Sequence, residues 1–158
     1  MFSPITATVA AAFPVLVVWA GAVDAVTRTI PNAVVLSLAV CFVLFAAMAG
    51  LPVLDAGAHV LCAVTILAGG FVLFYLSLLG GGDAKLLASA ALWFGFDQLL
   101  PFLASVALAG GVLSLAYMAA NAMRTEFGWP FSDTRSVPYG AAIAAGALAV
   151  LPDWLASF

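Results

Sequence analysis

The sequence predicts an all-α protein: a polytopic membrane helix bundle of about six transmembrane helices, forming one domain over residues 1–158 with both termini on the non-cytoplasmic side. Three observations predict it. The chain is 66% hydrophobic and 7% charged, whereas a soluble domain carries about a quarter charged residues. That leaves too little polar surface to cover a globule in water. Six apolar runs are separated by charges and turn residues, and all four basic residues fall in alternate loops between those runs.

The first run, Ile5–Val23, ends at Asp24. Ala20-Gly21-Ala22 has the small-residue look of a signal cleavage site, but Met1 to Pro4 carry no charge, so the run reads as a retained helix. The second, Ala33–Gly50, opens at Ile30-Pro31-Asn32, proline being at home in a first helical turn. The third, Ala58–Leu79, runs into Gly80-Gly81-Gly82. The fourth, Leu86–Phe96, reaches only about 16 Å at ~1.5 Å per residue, against the roughly 20 residues of a full span. Leu86 to Met123 is too long for one span, so a break is expected over Asp97–Pro101, with Pro101 supplying it. Phe102–Met123 and Tyr139–Leu151 complete the set, the last opened by Val137-Pro138-Tyr139-Gly140 with a tyrosine at interface height.

The loops after the first, third and fifth runs hold Arg28, Lys85, Arg124 and Arg135, while the opposite side holds only Asp55, Asp97 and Asp153. Lys and Arg bias loops toward the cytoplasm. Asp24 and Asp83 therefore share the cytoplasmic face. Keeping all four cations together requires Leu86–Phe96 to cross.

Ionisable groups at membrane depth are costly and face a bundle interior or an aqueous cavity. If Asp24 and Asp83 meet, repulsion makes them share one proton over a wide pH range. The ionised carboxylate can then take a proton from water while its protonated partner polarises a carbonyl, which is the chemistry of peptide hydrolysis. Gly80, Gly81 and Gly82 lack side chains, so the backbone can bend there and an extended substrate can lie close to Asp83. Plainer readings stand beside this one. Asp83 would favour the positive end of the next helix dipole, and Asp24 would pair with Arg28 four residues on. Two carboxylates in a bundle would also suit a small proton-coupled transporter, and a non-catalytic component of a pilus or secretion assembly is a third reading.

The remaining features carry less. His59 reads as an interfacial anchor or packing residue. Trp19, Trp93, Trp129 and Trp154 mostly fit an aromatic belt. Cys41 and Cys62 lie in apolar runs and form no Cys-x-x-Cys pair, so they read as small packing residues. Leu67-Ala68-Gly69-Gly70 and Leu108-Ala109-Gly110-Gly111 read as close-packing patches. Triads, phosphate loops and metal clusters are absent, and no cofactor or metal is expected. The four cations are balanced on their own side by Asp24, Asp83, Glu126 and Asp133, which gives no support to nucleic-acid binding.

Gly80-Gly81-Gly82-Asp83-Ala84-Lys85 resembles the Gly-x-Gly-Asp-x-Lys motif of the type IV prepilin peptidases, intramembrane aspartic proteases. Asp24, with Arg28 and Ile30-Pro31-Asn32, resembles the segment bearing that family's first catalytic aspartate. Val137-Pro138-Tyr139-Gly140-Ala141-Ala142 resembles the opening of its last helix. The resemblance implies that Asp24 and Asp83 are the catalytic pair. It implies that Gly80, Gly81, Gly82, Lys85, Arg28, Pro31, Asn32, Pro138, Tyr139 and Gly140 shape the site or bind substrate. The implied partners are prepilin-like precursors, which carry a short basic leader ahead of a hydrophobic helix and are cut on the cytoplasmic side of the bacterial inner membrane, and the lipid bilayer. Larger members carry paired Cys-x-x-Cys motifs and also methylate the new N-terminus. This chain lacks those cysteines and is similar to the minimal peptidases of tight-adherence (Flp) pilus systems, so no methyltransferase activity is expected. Asp133 and Glu126 are the competitors for the place of Asp24.

Overall fold

The computed structural model describes residues 4–127 and 137–156, apart from the side chains of 121 and 123–127. The described residues form six α-helices and no strand: α1 Pro4–Thr27, α2 Asn32–Ala49, α3 Val53–Tyr75, α4 Gly81–Phe94, α5 Leu99–Phe127 and α6 Tyr139–Ala156. All except α4 contain a stretch long and apolar enough to cross a membrane. The protein is a membrane-embedded helical bundle.

Helix α4 is the exception that organises the rest. Its 14 residues extend about 21 Å, short of a lipid-facing span. It lies at the centre, packed against α2, α3, α5 and α6, while α1 packs on α2 and α6. Nine of its fourteen residues are buried. Protein surrounds this helix, so its length need not match the bilayer.

Two side-chain bonds tie its C-terminal end to neighbouring helices, one from its own Trp93 and one from His59 on α3. The Trp93 indole N–H donates to the Leu38 carbonyl on α2 at 3.0 Å. His59 Nδ1 on α3 lies 2.8 Å from the Leu92 carbonyl, which requires that nitrogen to carry the proton. His59 also stacks on Phe42 at 5.3 Å, the packing role its sequence context predicts. Trp93 and Trp154, expected in an interfacial belt, are instead fully buried. Their rings cluster with Phe13 and Phe45 at centroid separations of 5.0 to 6.3 Å. Trp19 is exposed as expected, and Trp129 lies outside the described residues.

The expected break after the fourth run exists but has a different cause. Gly95, with φ +63°, ends α4 and donates its N–H to the Ala91 carbonyl. With ψ −168° the backbone there lies in a positive-φ region that essentially only glycine adopts, and the His59 ring stands where a side chain would go. Pro101 lies in the first turn of α5, where its missing N–H would have had no helical partner anyway. Other ends shift by a few residues. Helix α1 continues through Asp24 to Thr27, α3 starts at Val53 and stops at Tyr75, and α4 starts at Gly81, which places Gly81 and Gly82 inside its first turn.

Small residues set the helix spacing. Gly70 faces Ala84, Gly21 faces Ala144, and Gly110 lies against Ala142 and Tyr139. Gly69 and Gly111 have open space around them, so each Leu-Ala-Gly-Gly patch uses one of its two glycines. Cys41 and Cys62 are free thiols.

A Cβ at Gly146 would stand 2.7 Å from the Val106 backbone nitrogen. Gly146→Ala is therefore expected to destabilise the α5–α6 pair by about 1–3 kcal/mol, while Gly111→Ala changes little. Thermal unfolding in detergent, with the two variants side by side, checks this contrast.

Candidate active site

Asp24 sits in the last full turn of α1 and is buried at 6% exposure. What keeps a carboxylate tolerable there is the start of α6. The Gly140 backbone N–H donates to Asp24 Oδ2 at 2.8 Å. The first N–H groups of a helix have no internal partner and form the positive end of its dipole, so the α6 terminus supplies both a donor and a favourable field. The approach is close. A Cβ on Gly140 would lie 2.8 Å from the Asp24 Cβ, and one on Gly21 would lie 3.2 Å from the Gly140 carbonyl oxygen.

Asp83 occupies the third position of α4, after the cap residue Gly80. Its carboxylate accepts a hydrogen bond from the Gly80 N–H, the reach-back half of a capping box. It is partly buried and within electrostatic reach of Asp24. Both acids thus face helix N-termini at one end of the bundle, where α1 stops and α4 and α6 begin.

The other expected site residues fall around this corner. Gly82 packs beneath Ile30 in the α1–α2 connection, where an added Cβ would come within 3.3 Å of the Ile30 Cβ. Lys85 Nζ donates to Asn32 Oδ1 at 3.1 Å and joins α4 to the start of α2. Pro31 caps α2 in an extended conformation, and its carbonyl accepts from Val34 N. Gly81 touches the Phe74 ring on α3. Pro138 is buried just before α6, and Tyr139 rests against Gly110 on α5.

The Asp24–Arg28 pair does not form. Arg28 adopts a left-handed φ of +56° immediately after α1, which takes its side chain off the helical path that would bring it back over residue 24. Its guanidinium donates to the Tyr117 hydroxyl at 3.1 Å and lies 5.5 Å from that ring's centroid. Sequence reasoning misses Tyr117, and it names Ile30 and Gly21 only within short motifs, without their packing roles at the site. Gly21 lay within the small triplet Ala20–Ala22, and a tyrosine near a helix end reads as an interfacial anchor. Of the competitors, Asp133 and the Glu126 side chain lie outside the described residues.

The arrangement sets two carboxylates within electrostatic reach of each other at one end of the bundle, beside a glycine tip packed by Phe74 and Ile30, with Lys85 and Arg28 bonded to neutral partners. Gly140→Ala is expected to displace Asp24 and lower peptidase activity on the order of 10²-fold, the scale of a catalytic group misplaced by about 1 Å. Gly69→Ala, with open space around it, leaves activity near wild type. A cleavage assay on equal amounts of folded protein checks this.

Residues 11–115 match the family model described as the type IV leader peptidase family. That span contains Asp24, Asp83 and the whole of α4, and stops before Tyr117 and α6. Neither curated proteins nor solved structures yield a match. The matched region is about two thirds of the chain, and it runs through the helices that hold both carboxylates: the protein belongs to the type IV leader peptidase family.

Proposed function

We propose that the protein is an aspartic endopeptidase that removes the leader from prepilin-like precursors at the cytoplasmic edge of the bacterial inner membrane. Asp24 and Asp83 act as the catalytic pair. The observation that carries this reading is the burial of Asp24 against the Gly140 N–H within electrostatic reach of Asp83. A structural carboxylate would find its partner in Arg28, which instead goes to Tyr117.

In the proposed cycle, water lies between the two acids. The ionised carboxylate removes its proton as the oxygen attacks the scissile carbonyl. The protonated carboxyl hydrogen-bonds the carbonyl oxygen and stabilises the charge that develops there. Collapse of the tetrahedral species breaks the C–N bond, and a proton passes to the leaving amine. No acyl-enzyme forms, and no serine, cysteine or metal takes part. Within the hydrocarbon layer a helix keeps its carbonyls bonded, so the scissile segment must be extended at the membrane edge. At Gly80–Gly82 the backbone presents no side chain to such a segment, and Phe74 and Ile30, which pack on Gly81 and Gly82, would give way to it. Without paired Cys-x-x-Cys motifs, the protein resembles the minimal Flp-type peptidases, and we assign it no methyltransferase activity.

Co-expression with small pilin-like precursors, followed by gel and mass spectrometry, tests the reading. Wild type is expected to shorten the precursor, while Asp24→Asn and Asp83→Asn each leave it uncut. Cleavage that survives either change removes that residue from the pair and turns attention to Asp133 or Glu126. The rate should follow a bell-shaped pH profile, falling at low pH when both acids are protonated and at high pH when both are ionised. A flat profile would contradict shared-proton catalysis.

A further inference from the structure

We infer that the Tyr117 ring is a seat for a cationic side chain of the substrate leader, and that Arg28 occupies it in the resting protein. The inference rests on the peptidase reading above and adds the feature of the precursor that this corner recognises.

The geometry places this contact over the candidate site. Helix α6 begins against α5 at Gly110, where the Tyr139 ring lies 3.7 Å from the position of an added Cβ. Tyr117 is seven residues further along α5, about 10 Å beyond that level at ~1.5 Å per residue. Arg28 is four residues beyond Asp24, past the end of α1. The Arg28–Tyr117 contact therefore joins α1 to α5 on the side from which a leader would approach. It lies beyond the α6 terminus, whose Gly140 N–H holds Asp24.

The chemistry of the contact identifies what it would take. A guanidinium close to an aromatic face gains from the ring quadrupole, and the hydroxyl adds an acceptor 3.1 Å away. Arg28 reaches this seat from a left-handed backbone conformation that L-residues adopt at a cost. The tether is therefore poorly optimised for Arg28, and a free cation would compete with it. A leader supplies such a cation on general grounds. A segment that flanks an apolar helix and stays on the cytoplasmic side carries Lys and Arg. The nearby carboxylates attract the same charge.

Two synthetic peptides test this, each with an apolar helix, one preceded by a leader containing two lysines and the other by glutamines there. Binding is measured to Asp83→Asn protein in lipid nanodiscs, so cleavage does not enter. Tyr117→Leu is expected to weaken the lysine peptide roughly tenfold. Arg28→Gly removes the competing cation and keeps a residue suited to the left-handed turn, so it should tighten that peptide by several-fold. Neither change should move the glutamine peptide. Equal shifts for both peptides, no shift for either, or no binding of the lysine peptide would each overturn the inference. Loss of precursor cleavage in wild type with the lysine preference intact would instead refute the peptidase reading alone. Tyr117→Phe, which keeps the ring and loses the hydroxyl, should retain most of the lysine preference.

Discussion

A helix of fourteen residues can hold its place in a membrane protein only if protein surrounds it, and that constraint on α4 governs everything else here. The central position is what requires glycine and alanine on its neighbours, since lipid provides no hydrophobic drive between helices and close packing must supply the attraction. It is also what draws Trp93 and Trp154 inward, because a short helix leaves space at one end of the bundle that large rings fill. The two polar bonds at its C-terminal end, from His59 and Trp93, then tie α4 to α2 and α3. Asp83 is at its other end. The helix that carries that carboxylate is thus anchored at both ends, by these bonds and by the Gly80 N–H at Asp83.

The same corner shows how two acids are tolerated at the edge of an apolar bundle. Each is met by backbone N–H groups at a helix start, α6 for Asp24 and α4 for Asp83. Backbone donors satisfy a carboxylate without neutralising it, as a lysine or arginine salt bridge would. Lys85 and Arg28 are nearby, yet bond to Asn32 and Tyr117. A carboxylate held this way keeps its capacity to accept a proton, which a hydrolytic pair needs.

Much of this was legible in the chain because each signal is local. Six apolar runs, four cations in alternate loops and the Gly80–Lys85 turn gave the bundle and put both aspartates at one end. What the chain hid depends on distant contacts. The Gly140–Asp24 bond joins residues 116 apart in sequence. The inward placement of Trp93 and Trp154 follows from tertiary packing, since the indole alone fits a core as well as an interface. The Asp24–Arg28 pairing failed for a local reason: spacing of four implies contact only while the helix continues, and the backbone turns left-handed at Arg28. The break before α5 was assigned to Pro101, although Gly95 carried the stronger signal. A proline in a first turn breaks nothing, whereas a glycine after a short helix commonly ends it.

The account stands or falls on whether Asp24 and Asp83 meet in the membrane. The direct measurement is cross-linking in native membranes of an Asp24→Cys/Asp83→Cys double variant, with Cys41 and Cys62 replaced by alanine, using a short thiol-bridging reagent. An Ile30→Cys/Gly82→Cys pair, where a Cβ added at Gly82 would lie 3.3 Å from the Ile30 Cβ, serves as the reference. Intramolecular bridging of both pairs at comparable rates is the predicted result. Bridging of the reference pair with none between positions 24 and 83 would contradict a shared site.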